Sequence, residues 1–438
     1  MLDTTDRTTP TTAAVISVLT NQSWMGKRFA IDDAGQLQKQ VNGLFTRGRV
    51  SVRDAHCAND LLDLTEALSA EDALCLGIPS CGERDMIVVT RGSKNQLTTP
   101  SKICITRTKD DFGFPGGEGW LLLDHDTKDL PVSVKSKMSN LGGIFAALTT
   151  IWPELADADF LVRPSSSAGV CITGGTPADA TGFHMFVRLR LASDIPSSLR
   201  ALHGRCWQHG LGYHLISKSG QMLDRSIIDV SVGSPERLIF TAPPILGPNV
   251  LRQAPPTVCH EGVALDAPRQ PYNLTWSRTR DIARQTAKPE ADARYAAFLQ
   301  EAIEKRISTH GGSYAEAETL VLSRVQGRCL SDNDVLVLAG GRPAIIGDLL
   351  DQIKPGDVIA CADPIEGPDY NPTAAAVIWK PPYRTPALVS HAHGMVPSMN
   401  LPASRPLPRK FVEPQHETED ARSIRSGFGN DAGRSFWL

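Results

Sequence analysis

Residues 117–126 read Gly-Glu-Gly-Trp-Leu-Leu-Leu-Asp-His-Asp. Four bulky apolar residues, Trp120 to Leu123, lead directly into Asp124-His125-Asp126. A short apolar run bounded by glycine predicts a buried strand. Side chains alternate along a strand, so Asp124 and Asp126 face one side, roughly 6–7 Å apart at about 3.3 Å per residue. Two carboxylates on one face repel each other unless a cation lies between them, and hard cations take oxygen ligands. Asp-x-Asp alone also fits a strand that ends in solvated aspartates, so the pair acquires meaning only from its neighbours.

Three stretches downstream supply neighbours. FLVRPSSSAGVCITGG (160–175) reads as strand, loop, strand, with Ser165, Ser166 and Ser167 in the loop. Hydroxyls and backbone amides of such a loop bind phosphate, or form an ordinary turn. GFHMFVRLRL (182–191) alternates as a strand and sets His184 on the side opposite Phe183 and Met185; His184 suits either a triphosphate contact or a structural hydrogen bond. In DRSIID (224–229), Asp229 follows two isoleucines, which predicts a third acid on a strand with a buried flank. A buried acid needs a partner, and either a shared cation or a neighbouring arginine meets that need. Arg225 and Arg237 can stabilise phosphate charge or pair with nearby acids.

Around this centre the pattern predicts an α+β protein. Residues 15–80 read as helical, including AVISVLTNQSWMG and DAHCANDLLDLTEALSAEDALCLG; MIVVT (86–90) and KICITRT (102–108) read as strands. Proline-rich PPILGPNV and QAPP mark a boundary near 245–255, and ADARYAAFLQEAIEKRI (291–307) reads as an amphipathic helix. The expected division is a flexible leader at 1–14, a catalytic domain at 15–250, a helical connector at 251–320, a small accessory α/β domain at 321–399 and a Pro-rich charged tail at 400–438.

Composition excludes some classes. The 438 residues carry 45 Lys and Arg against 48 Asp and Glu, a net charge of −3, so the chain has no global basic coat for duplex DNA or an anionic membrane. No apolar run is long enough to span a bilayer, so no membrane partner is expected. Nine widely spaced cysteines without a CxxC pair argue against a disulfide framework or a cysteine zinc site, and suit a cytoplasmic location.

In their order, LLLDHD, SSSAG with GFH, and SIIDVSVGSPERLIFTAPP resemble the three motifs of the archaeo-eukaryotic primase (primase-polymerase) superfamily, in its phage and plasmid replication branch. DPIEGPDYNPTAAAVIW and SHAHG (390–394) are similar to segments that follow the catalytic module in such proteins. The resemblance spans roughly 85–395. It departs from the pattern in one respect: His184 follows Ser167 by 17 positions instead of forming a compact Ser-x-His.

The resemblance implies a primase-polymerase core with a mixed, RRM-like sheet. It implies that Asp124, Asp126 and Asp229 are catalytic and hold two divalent cations, Mg2+ or Mn2+, and that the serine loop and His184 hold an incoming NTP or dNTP on a single-stranded DNA template. With no GxxxxGK[ST] in the chain, a separate replicative helicase would act alongside it, or none.

Arg91, Lys94, Lys102, Arg107 and Lys109 lie in a segment from 86 to 109 without an acid, which suits a template groove or a solvated charged face. Arg278, Arg280, Arg284 and Lys288 near Tyr272 and Trp276 suit base stacking or a linker helix, and His391 and His393 suit metal binding with Asp363 or Glu366, or packing. Two alternatives to a primase remain: a catalytically silent replication initiator that binds single strands, and a different metal-dependent phosphotransferase or nuclease.

Overall fold

The computed structural model describes residues 14–43, 45–90, 104–127, 129–177, 182–269, 274–326, 329–379, 385–392, 398–399 and 401. All of the leader expected at 1–14 except Ala14, which is buried, almost all of the tail, and Arg91, Lys94, Lys102, Tyr272 and His393 therefore lie outside the described residues. The fold is α+β. The chain divides into two compact units, 1–300 and 301–438.

The apolar run of the acid strand is the centre of the first unit. Gly119–His125 forms one edge of a four-stranded antiparallel sheet, followed in order by Phe183–Leu189, Phe160–Pro164 and Val258–His260. Trp120, Leu121, Leu122 and Leu123 are all fully buried, so both faces of the strand are covered. The strand touches Val15–Asn21 and the helix Ile195–Gln208. Each such buried side chain contributes about 1.5–3 kcal/mol relative to exposure. The Trp120 indole N–H donates to the Ala55 carbonyl at 3.1 Å, which satisfies its one polar group.

An ion network staples this sheet from behind. Asp159 is almost fully buried; Arg188 Nε lies 2.9 Å from its Oδ2, and Arg188 Nη1 lies 3.1 Å from Glu118. The other Asp159 oxygen accepts from the Ala58 amide at 2.9 Å, at the start of the helix Ala58–Glu66.

A second sheet has the order Asp72–Cys75, Val15–Asn21, Arg47–Asp54, Asp85–Val89 and Cys104–Thr106. A third pairs Ile245–Leu246 in parallel with Gly26–Ile31, which pairs antiparallel with Leu37–Asn42. The parallel strand pairs lie in these two sheets, whereas the four strands of the sheet that carries Asp124 pair antiparallel, with an isolated parallel bridge from Leu189 to Leu265 at its end.

Three expectations are corrected. Residues 15–80 are mostly strands, not helices, with Val15–Asn21, Gly26–Ile31, Leu37–Asn42, Arg47–Asp54 and Asp72–Cys75 extended and the helix confined to Ala58–Glu66. Val15–Asn21 is paired on both sides, by Asp72–Cys75 and by Arg47–Asp54, and a central strand buries both faces. Residues 251–269 do not begin a connector, because Val258–His260 completes the acid-bearing sheet and Val250–Arg252 pairs with Val170–Ile172. Asp229 is not on a strand; it caps a 3-10 turn, Val230–Val232, after the hairpin Gly212–Ile216 and Met222–Ser226.

The second unit has its own core, including Leu336, Leu338, Ile346, Cys361, Val377, Trp379 and Leu388. Its antiparallel sheet runs Val358–Cys361, Ala375–Ile378, Ala387–Ser390 and Ser398–Met399. The helix Tyr314–Val325 starts with a capping box between Ser313 and Glu316. All nine cysteines are free. Among the described residues, no helix is long and apolar enough to cross a membrane.

Candidate active site at the end of the acid strand

Register builds the site. Asp124 lies opposite His184, and His184 lies opposite Arg163, so the three form one row across three adjacent strands. Side chains directly opposite in an antiparallel pair share a face. His184 Nε2 is 3.7 Å from Asp124 Oδ1, and its other ring nitrogen, Nδ1, is buried without a hydrogen-bond partner. Burial, then Lys27 and Arg163, lowers His184 to about 4, so at neutral pH it is a neutral imidazole, and its approach to Asp124 is not an ion pair.

Asp126 lies one residue past the strand end, and Asp229 is brought in by the main chain: its amide N–H donates to the Asp124 carbonyl at 2.9 Å. Burial, then the charges of Asp229 and Asp126, raises Asp124 to about 7, against the opposing pull of Arg237 and Lys27. The three acids predicted from sequence thus lie within electrostatic reach of one another. Asp229 is already engaged, because its Oδ1 accepts from the Ser231 amide at 2.8 Å and its Oδ2 from the Ser231 hydroxyl at 2.7 Å.

The serine loop closes the other side. Lys27, from the strand Gly26–Ile31, donates from Nζ to Ser167 Oγ at 3.0 Å, and the Ser165 and Ser167 hydroxyls are 3.5 Å apart. The Ser166 hydroxyl is buried with no partner, as is Arg163 Nη1. Burial and Lys39 lower the Lys27 ammonium, while Asp126 and Asp124 hold it up. The result is a site with an acidic half and a cationic half.

Arg237 donates to the Ser231 carbonyl at 2.9 Å and acts on Asp124. Arg225 lies further out, opposite Tyr213, which in turn feels Asp126 and Asp229. Of the basic segment, Arg107 is turned inward, donating to the Glu236 carbonyl at 3.0 Å, while Lys109 is exposed. Arg280 stacks 5.2 Å over Trp276 and reaches Asp224 at 3.4 Å. Asp363 accepts from the Ile365 and Glu366 amides and from the Ser390 hydroxyl, and His393 lies outside the described residues.

Sequence reading missed Lys27, Arg163 and Arg252. Arg163 had a local signal, since it shares strand parity with Ser165 and directly precedes the loop. Lys27 and Arg252 had none, because long-range pairing brings them in.

The donor set for a divalent cation is chemically suitable: Asp124 and Asp126 offer hard oxygen ligands, and the mutual repulsion that raises Asp124 is what a cation relieves. Among the described residues, however, no group of three His, Cys, Asp or Glu is assembled to hold a metal ion. In comparisons with known proteins, no family model, no curated protein and no solved structure matches the chain.

Proposed function

We propose that the chain is a template-directed nucleotidyltransferase, a DNA primase-polymerase that makes or extends primers on single-stranded DNA. One observation carries this reading: Asp124, within electrostatic reach of Asp126 and Asp229, lies at a strand end beside Lys27, Arg163, His184 and the serine loop. A phosphoryl-transfer site needs both halves, oxygen ligands for cations and fixed cations or donors for the phosphates.

Asp124 and Asp126 would hold the metal, with Asp229 joining when its carboxylate leaves Ser231. Mg2+ or Mn2+ bound there supplies Lewis acidity for in-line displacement of pyrophosphate by a 3′-hydroxyl. The chain's own groups do the rest. Lys27 and Arg163 bind triphosphate oxygens as fixed charges, and the serine loop orients them through hydroxyl and amide donors. His184, neutral at pH 7, retains one ring N–H for a phosphate oxygen without adding charge beside Asp124. Apolar cover from Leu121 to Leu123 on the strand keeps the acids in a low-dielectric setting, where each of these interactions is stronger.

A second reading, a silent single-strand-binding initiator, is favoured by Asp229, whose carboxylate Ser231 already satisfies. One assay separates the two. The protein is incubated with single-stranded template, nucleotides and Mg2+ or Mn2+, with and without primer. Products that vanish in Asp124→Ala support the enzyme. A gel shift without products supports the initiator, template loss indicates a nuclease, and full activity in Asp124→Ala refutes the proposal.

A further inference from the structure

Arg252 lies at the end of the strand Val250–Arg252, opposite Val170. Its guanidinium reaches across to the serine loop and donates to three carbonyls: Nε to Ala168 at 3.2 Å, and Nη2 to Ser165 at 3.0 Å and Pro164 at 3.3 Å. Among the described residues no carboxylate pairs with it, and burial alone lowers its pKa. A half-buried guanidinium with only carbonyl partners has a geometric role, since an ion pair would be the usual way to compensate its charge.

The neighbouring backbone repeats the tie. The Gln253 amide donates to the Gly169 carbonyl at 2.7 Å. Gly169 has φ +71, and a Cβ there would come within 2.1 Å of the Gln253 carbonyl oxygen, so only glycine permits the approach. Four loop carbonyls, at 164, 165, 168 and 169, are thereby drawn toward 252–253. The donors left over are the Ser166 and Ser167 amides, which have no acceptor among the described residues, and the buried Ser166 hydroxyl, which also has none. Consecutive unpartnered amides beside a cation make an anion-binding concavity.

We infer that Arg252 is a positioning residue: its planar fork gathers the serine-loop carbonyls on one side and so presents the Ser166 and Ser167 donors, beside Lys27, to a polyphosphate. This inference rests on the polyphosphate reading of the loop. Three of its five N–H donors, on Nε and Nη2, are spent on the carbonyls, and it is through these three that Arg252 shapes the loop. Lysine keeps the charge but has no fork with which to hold three acceptors, so Arg252→Lys separates geometry from field.

The test is calorimetric titration of inorganic tripolyphosphate into the full chain in EDTA, well below the melting temperature, with wild type, Lys27→Met, Arg252→Lys and Arg252→Gln. The expected result is a Kd raised about tenfold in Arg252→Lys and Arg252→Gln. In primer extension the same variants should raise the nucleotide KM with kcat changed far less, a split that a loss of folded protein does not produce. Wild type that fails to bind tripolyphosphate overturns the polyphosphate reading, and this inference with it. Wild-type binding with an unaltered Kd in Arg252→Lys overturns this inference alone. Should both Arg252 variants fail to fold, hydrogen exchange on the wild type decides: tripolyphosphate should protect the Ser166 and Ser167 amides, and unchanged exchange overturns the inference.

Discussion

Replacing Asp124 by asparagine should stabilise the protein while abolishing its chemistry. Asp124 is raised from an ordinary 3.8 to about 7, first by burial and then by Asp229 and Asp126. Between those two pH values the folded chain holds a proton that the unfolded chain has released, so stability falls as pH rises through that window. The penalty is complete above pH 7 and absent below pH 4. Raising a carboxyl that far corresponds to ~4 kcal/mol. The side chain is 30% exposed, so solvent screening brings the working expectation to about 2 kcal/mol. Asparagine has the same shape without the charge. Urea unfolding in EDTA should therefore show Asp124→Asn more stable than wild type by about 2 kcal/mol at pH 8, and within about 0.5 kcal/mol of it at pH 4.5. A variant no more stable than wild type at pH 8 would refute the claim that three acids are held together at a cost.

Four further outcomes follow from the same structure. Mg2+ at millimolar concentration should raise the melting temperature of wild type at pH 8 but not that of Asp124→Asn, since the cation relieves a repulsion the variant lacks; equal shifts in a calorimetric scan would contradict this. Lys27→Met should weaken tripolyphosphate binding about tenfold by titration calorimetry, because it removes the ammonium beside Ser167. Arg188→Met should cost about 3–5 kcal/mol in urea unfolding, since it leaves Asp159 buried and unpaired. In the second unit, Ser390→Ala should cost about 2 kcal/mol, read as a lowered second calorimetric transition, because the buried hydroxyl donates to Asp363 and accepts from the Ala392 amide.

The centre of the fold was legible because it is local. Trp120 to Leu123 form an apolar run that ends in acids, the serine loop lies between two β-rich runs, and His184 lies on a strand; the structure builds all three elements, although Met185, Phe186 and Val187 are all buried, so both faces of the His184 strand are covered at its centre. The run VISVLTN was misread because a strand buried on both faces lacks the period-two alternation that marks strands. Asp229 was recognised as an acid behind buried isoleucines, but side-chain order does not reveal that its carboxylate folds back onto Ser231. Val258–His260 is too short to register as a strand, and its role comes entirely from pairing with Phe160–Val162. Lys27 and Arg252 reach the site through sheet pairings that no window of neighbouring residues encodes.

The tie between Lys27 and Ser167 spans 140 positions, and the one between Arg252 and Pro164 spans 88. A site stitched together over such separations is among the last features to form, because the loop-closure entropy is lost before any of its contacts can compensate. Ligand binding at the serine loop is therefore a readout of completed folding for the whole first unit. A fragment that ends before Val250 would retain all three acids and the serines, yet lack the strand that shapes the loop around them. For expression trials, this places the useful truncation point no earlier than residue 300, where the first unit ends, since Val263 and Leu265 also bond to the acid-bearing sheet and Leu265 belongs to its core.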